Sequence, residues 1–506
     1  MIDLRLLFPA VGAWAASWWS TSHPAPRHLI AACALTAGLA AASYGWSRRG
    51  TRAPRHALTP PRSLRLAVAL LLACVACALA VASTAGRRYL ADPARAGSGP
   101  IHARVRLERD PASSGFSARS HARVRILSVR VGDTWLASSA SALVSAPGWH
   151  DAARGDVYEI GGVLDAGFAS GAPSVGAIRA RSALLLRRPT GLDAWRRDTH
   201  LAFAAACRDL PRDAQGLVPG MAIGDDRLVP DDLSRAMKAS SLTHLTAVSG
   251  SHIVIVLTVI NLIVPARKVL RLGVTLVVLG AILTLVGPEP SVVRSVCVAC
   301  VAALGLILGR EGQAVAALCA VVVATLLVDP WASRSYGFAL SVLAALAVVG
   351  PASAVADRVK RRVRGDTRVG KALRRLAEMV CVPALAELAT APLIVSLSGM
   401  VPLWGIAANV AAEPAVPVAT LAGLAGALLA PLHPGAAGAF ARVACCATEW
   451  IAGCARLCAG LPGSGTKVPG GPATVLSLYA CAGLGWVAWR AWRRWGCPLA
   501  DEALEP

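Results

Sequence analysis

The chain has 506 residues, 55% of them hydrophobic and 16% charged, with a mean hydropathy of +0.55. Those values exclude an ordinary soluble enzyme, whose charged share is nearer ~25%, and a disordered chain, which lacks such apolar content. The 51 Lys and Arg against 29 Asp and Glu leave a net charge of +22, which marks an anionic partner or, in a membrane protein, basic residues gathered in cytoplasmic loops.

A helix needs ~20 residues to cross the hydrocarbon. Residues 4–19 form a short first candidate; Asp3 and Pro9 argue against a removable leader there. Further spans are expected at 29–46 and 66–86. From 90 to 197 no run is long enough to span. Instead Ile101, Ala103, Val105 and Leu107 alternate with His102, Arg104, Arg106 and Glu108, which is the period of a half-buried strand. Strand-like runs follow around Val124 to Val131, at 155–160 and at 174–186, with Gly161 and Gly162 at a bend or bulge. About five short strands in such a block predict a small β-barrel, with the OB-fold as one form it could take. After a linker with amphipathic helical character, spans are expected at 245–264, 272–286, 292–308, 314–328, 336–349, 376–397, 401–429, 440–461 and 475–492. Pro414 and Pro417 predict a break inside the run at 401–429. The fold class read from the sequence is therefore a polytopic α-helical membrane protein of about twelve spans with one small exterior β-barrel domain.

Charge orients this arrangement. The stretch 47–65 holds Arg48, Arg49, Arg52, Arg55, Arg62 and Arg65 with no acid, and 357–375 holds nine basic residues against two Asp. Arg267, Lys268 and Arg271 form a third cluster, and Arg490, Arg493 and Arg494 a fourth. Placing all four in the cytoplasm puts the N-terminus inside and the β block outside. The block 87–197 carries seventeen Arg, no Lys and nine acids, a net charge of +8 that this rule does not explain. Arg104, Arg106, Arg123, Arg125 and Arg130 lie on its strands and are its candidate contacts for nucleic-acid phosphates. The fourteen Cys all lie outside the block; the C-x-x-C pairs Cys74/Cys77 and Cys297/Cys300 sit within spans and read as helix packing rather than a metal site.

The stretch S-S-L-T-H-L-T-A-V-S-G-S-H at 240–252 gathers two His, four Ser and two Thr where an apolar run begins. Polar groups at membrane depth cost free energy unless satisfied, so they mark pathways or sites, or else a hydroxyl-rich helix cap. Ser249 beside His252 also admits a serine hydrolase, although Ala247-x-Ser249-Gly250 lacks one glycine of the G-x-S-G pattern. Glu387 and Asn409 lie deep in their runs, Arg294 begins a span beside Pro290 and Ser291, and Asp329-Pro330 reads as a helix stop. No G-x-x-x-x-G-K-[ST] loop and no H-E-x-x-H occurs, so neither an ATP motor nor a hydrolytic metal centre is expected.

These residues resemble a known family. H-L-T-A-V-S-G-S-H at 244–252 resembles the H-L-x-A-[IV]-S-G-x-H signature of the ComEC competence family of inner-membrane DNA-uptake channels. Met221 to Asp225, Pro290-Ser291-Val292-Val293-Arg294, Asp329-Pro330 with Ser335 to Ser341, Ala384 to Pro392 and Asn409 to Pro414 resemble further family segments in the same order. Ala339 and Glu387 stand where the family has Gln. The resemblance implies a channel for single-stranded DNA in natural transformation, multi-pass in the bacterial cytoplasmic membrane. Its core residues would be His244, Ser249, Gly250, His252, Ser291, Arg294, Asp329, Gly337, Phe338, Ser341, Glu387 and Asn409. The expected organisation is N-terminal spans at 1–90, the exterior β domain at 91–190, a linker at 191–215, the channel core at 216–435, and C-terminal spans with a short tail at 436–506. Many relatives continue into a metallo-β-lactamase-like domain that is not seen before Pro506, so no catalytic residue, metal or cofactor is expected here. The implied partners are single-stranded DNA, membrane lipids, a separate DNA receptor, a cytoplasmic helicase or translocase and a separate nuclease, with self-association left open. The competing readings are a transporter of another anionic substrate and an intramembrane serine hydrolase using Ser249 and His252.

Overall fold

The computed structural model describes residues 6–48, 62–95, 97–113, 119–149, 152–167, 173–246, 248–265, 267–287, 289–307, 314–349, 368–469, 471, 473–480 and 483–484. The basic stretches 49–61 and 350–367 and the cluster Arg490, Arg493 and Arg494 lie outside the described residues.

The chain begins with three helices, α1 (Leu7–Ser22), α2 (Arg27–Arg48) and α3 (Arg62–Leu90). Small residues let α1 approach α3 closely: a Cβ on Gly12 would meet Leu71 and Val75 at 2.8 Å, and one on Gly86 would meet the Thr21 carbonyl at 2.8 Å. A 3-10 turn at Pro93–Arg95 leads from α3 into the sheet.

The sheet strands are β1 (Gly99–Leu107), β2 (Ala112–Ser113), β3 (Arg119–Val131), β4 (Thr134–Ala137), β5 (Ser141–Pro147), β6 (Val157–Asp165) and β7 (Ser174–Arg187). The pairings run β1-β6-β7-β5-β3, and β3 pairs again with β1. β5 and β7 are parallel, while the other pairs are antiparallel. The expected alternation is present: Ile101, Ala103, Val105 and Leu107 are buried with Val124, Ile126, Val144, Ile160 and Ile178 in one core. Burying each such aliphatic side chain contributes roughly 1.5–3 kcal/mol. The expected bulge is also present, because the β6–β7 register shifts between Gly161 and Gly162. Glycine is needed there, since a Cβ on Gly162 would overlap the backbone of Arg179 and Ala180. β5 escapes the sequence reading because S-A-L-V-S-A-P is small and weakly patterned.

The helical region follows with α4 (Leu192–Ala206), α5 (Arg212–Ile223), α6 (Asp231–Ala239), α7 (Gly250–Ile263), α8 (Lys268–Val286), α9 (Pro290–Ile307), α10 (Ala314–Val328) and α11 (Tyr336–Ala347). It ends with α12 (Arg368–Ser398), α13 (Gly405–Ala412), α14 (Val416–Leu429) and α15 (Pro434–Ala459). α15 packs through a small-residue face of Ala437, Ala441, Ala444, Ala452 and Ala455. Among the described residues, four helical stretches are long and apolar enough to cross a membrane: Leu66–Leu90, Val269–Val286, Val380–Ser398 and Gly405–Leu429, the last taking α13 and α14 together. Five shorter apolar helices accompany them, so the described residues do not present twelve helices of full spanning length. The run at 401–429 is interrupted where expected, by a turn at 413–415 that includes Pro414. The expected span at 245–264 starts late, because a 3-10 turn at Thr243–Leu245 precedes α7.

Candidate functional site

The site begins at the N-terminus of α7. The 14 residues of α7 rise about 21 Å, whereas the 19 residues of α8 rise about 28 Å. The two are joined by a short turn and pack side by side through Ile253, Val256, Ile260, Leu279 and Ile282.

The start of α7 carries its own polar closure. Ser249 is the N-cap, and Ser249 and His252 form a capping box. The Ser249 backbone N–H donates to His252 Nδ1 at 3.0 Å, and Ser249 Oγ lies 2.8 Å from the same nitrogen and 2.7 Å from Ser251 Oγ. His252 is buried, and its Nε2 has no hydrogen-bond partner among the described residues. Gly250 faces α9, where a Cβ would meet Ser295 Oγ at 3.1 Å.

A second polar group forms beside the 3-10 turn. His244 Nδ1 is 3.0 Å from the Ser241 carbonyl. Ser241 has a φ of 60°, the single positive value outside glycine among the described residues. Asn409 Nδ2 donates to Glu387 Oε2 at 3.3 Å and to the Gly405 carbonyl at 2.9 Å. Gly405 is the hinge of this contact, because a Cβ there would overlap the Glu387 carboxylate and meet Ser241 Cβ at 2.9 Å. Elements α12, α13 and the α6–α7 connection thus converge on Glu387, Asn409, Ser241 and His244. Ser241 falls within the hydroxyl-rich stretch at 240–252, whereas Gly405 has no signal in the sequence, because a steric fit leaves no pattern in one chain.

The remaining expected core residues are elsewhere. Arg294 is buried within α9, at 3% exposure, rather than reaching outward. Ser291 lies in the first turn of the same helix. Asp329 caps a 3-10 turn by accepting from the Trp331 N–H at 3.1 Å. Gly337, Phe338 and Ser341 lie on α11. Phe338 is fully buried against α1, stacked on Trp14 at 4.8 Å, so its part is packing.

The strand arginines form an exposed face on β1 and β3, with Arg106 opposite Arg125. Four of the five have acidic partners. Arg104 pairs with Glu159 and also lies over the Trp135 ring, Arg106 pairs with Asp193, Arg125 with Glu108 and Arg130 with Asp133. Arg123 forms no ion pair among the described residues. Pairing engages these four arginines but leaves the block's surplus of +8 unchanged, because Glu108, Asp133, Glu159 and Asp193 are among its nine acids.

A junction unseen in the sequence joins the sheet to the helices. Arg196 and His200 of α4 reach the orphan carbonyls ending α8: Arg196 Nε donates to Leu285 O at 3.0 Å, Arg196 Nη2 to Val286 O at 3.2 Å, and His200 Nε2 lies 2.9 Å from Leu285 O. Asp110, just after β1, sits against both, 3.7 Å from Arg196 and 3.6 Å from His200. Burial alone would raise the Asp110 carboxyl, but His200, Arg196 and the Arg154 backbone N–H outweigh it and hold it well below the usual carboxylate range. Arg109 and Glu289 add an ion pair across the same junction.

The family model for competence proteins matches residues 221–494, more than half of the chain. The chain belongs to the competence protein family. It is 25% identical over 193 residues to ComE operon protein 3 of Bacillus subtilis (strain 168), a match covering 37% of this chain and 22% of that protein. The chain thus spans about a fifth of that relative's length in the matched region. No solved structure matches this chain. The family match contains α7, Glu387 and Asn409, whereas the sheet and the junction residues Asp110, Arg196 and His200 precede it.

Proposed function

We propose that this competence-family protein is a multi-pass protein of the bacterial cytoplasmic membrane that passes a single DNA strand inward during natural transformation. The observation that carries the reading is the start of α7: a helix N-terminus closed by Ser249 and His252, reached through a connection whose Ser241 meets the Glu387–Asn409 group at Gly405. Interrupted helices at membrane depth face protein or an aqueous path, and their N-terminal dipole favours anionic groups. Family membership supports a role in competence. In this reading the N-terminus is cytoplasmic and the sheet is exterior. The circuit of β1, β6, β7, β5 and β3, with its one parallel pair, fits a five-stranded OB-type barrel that receives the strand. The protein acts as a conduit rather than an enzyme. A separate receptor, helicase or translocase and nuclease supply capture, energy and second-strand degradation.

One observation favours a second reading. Ser249 Oγ and His252 Nδ1 are within the reach of a nucleophile and its base. The same Nδ1, however, accepts the Ser249 backbone N–H, so the contact is also a local cap. A transformation assay separates the readings. The conduit predicts that deleting the gene lowers uptake at least about a hundredfold, a ΔΔG‡ of about 2.7 kcal/mol if it were one step. It also predicts that Ser249→Ala and His252→Ala retain part of that activity and that a serine-reactive probe does not label the protein. Undiminished transformation in the deletion strain refutes the conduit. Labelling lost in Ser249→Ala establishes the hydrolase.

A further inference from the structure

The wall formed by α1 with α10 and α11 contains a groove of about 630 Å3, lined by Leu7, Trp14, Trp18, Leu318, Val322 and Val342 among others. Its walls are almost wholly apolar. Ala13 and Ala16, on the other side of α1, are buried in the core, while Val11 and Trp19 remain more than half exposed, at 59% and 57%. From Leu7 to Trp18 is eleven residues along the helix, about 17 Å, close to one leaflet of a hydrocarbon core ~30 Å thick.

One end of this apolar groove is charged. Arg334 lies over the Trp18 ring at 5.0 Å, and its Nε and Nη2 donate to Thr21 Oγ1 at 2.8 Å and to the Trp18 carbonyl at 2.7 Å. These bonds fix the guanidinium at the groove's end and leave its other N–H groups without an ion pair among the described residues. The loop's own acid, Asp329, is used in capping Trp331 N–H. The floor is fixed as well, because Trp14 Nε1 donates to the Ser333 carbonyl at 3.0 Å and stacks on Phe338. His23, stacked on Trp19 at 4.8 Å, adds a ring at the same end.

We propose that this groove binds one anionic phospholipid, an acyl chain lying between α1 and the α10–α11 pair and the phosphate on Arg334. A free anion would not use the long apolar wall, and a second protein helix would leave the Arg334 cation unmatched. A lipid meets both requirements, with Trp18 and Trp19 at the interfacial level where tryptophans favour the headgroup zone. The site is independent of what passes through the protein, and it applies whichever membrane face Arg334 occupies.

The test is native mass spectrometry of the full chain after exchange from lipid into detergent. Phosphatidylglycerol and phosphatidylcholine with identical acyl chains are offered in separate arms. The expected result is one retained phosphatidylglycerol per chain, about tenfold over phosphatidylcholine, which corresponds to about 1.4 kcal/mol. Arg334→Gln should abolish the headgroup preference, and Arg334→Lys should keep most of it. Ala15→Phe, which fills the exposed groove without touching the Arg334 loop, should lower retention of both lipids and keeps the test decisive where Arg334→Gln does not fold. Equal retention of the two lipids by the wild type, or undiminished retention in Ala15→Phe, overturns the proposal.

Discussion

At the scale of single residues, the candidate site is held by what one glycine does not have. Gly405 leaves room for the Glu387 carboxylate and the Ser241 side chain, and Asn409 ties Glu387 to the Gly405 carbonyl. Gly405→Ala forces one of these groups aside, and overpacking of this kind costs about 1–3 kcal/mol. Removing the obstructing carboxylate relieves the conflict. The double variant Glu387→Ala/Gly405→Ala should therefore be more stable than the sum of the two single losses predicts. Thermal unfolding in detergent of the four proteins of this cycle measures the coupling. Strict additivity would mean that Glu387 and Gly405 are not in contact.

At the scale of elements, β1 and β3 present one exposed arginine face whose charges are unequal in their availability. Arg125 is engaged by Glu108 and Arg104 by Glu159, while Arg123 is exposed without an ion pair among the described residues. A phosphate competing for Arg125 must displace a carboxylate; at Arg123 it displaces water. Arg123→Glu should therefore weaken single-stranded DNA binding more than Arg125→Glu, and should reduce the salt slope by about one. Fluorescence anisotropy with an oligonucleotide at several salt concentrations checks this. Equal losses from the two variants would show that the Glu108 pair does not withhold its arginine. The same comparison would weigh exterior nucleic-acid binding against a purely structural β face, since no binding at low salt would leave the arginines to their acidic partners.

At the scale of the whole molecule, the sheet and the helical region are joined through Asp110, Arg196 and His200 at the end of α8. The junction is pH-dependent in a defined sense. The Asp110 carboxyl is held below the usual range, so its contribution is present above the unfolded value near ~3.9 and is lost as pH falls through that range toward the folded value. Asp110→Asn should lower stability at neutral pH by about 1.5–3 kcal/mol, and it should flatten the acid limb of the stability profile below about pH 4. Unfolding followed from pH 7 down to pH 3 checks both. Parallel acid limbs for wild type and variant would exclude this carboxylate from holding the junction.

The sequence by itself determined the membrane character, the alternating strands, the Gly161–Gly162 bulge and the interruption at Pro414, because each follows from local periodicity or from the covalent limits of glycine and proline. It also carried the family, through ordered motifs such as H-L-T-A-V-S-G-S-H at 244–252. Only the tertiary structure decided that α7 begins late, that Ser241, Gly405, Glu387 and Asn409 meet, and which of the β block's arginines are held in ion pairs. The reason is physical: composition counts charges and periodicity reads a segment's own pattern, but neither records which distant groups a folded chain brings within hydrogen-bond range.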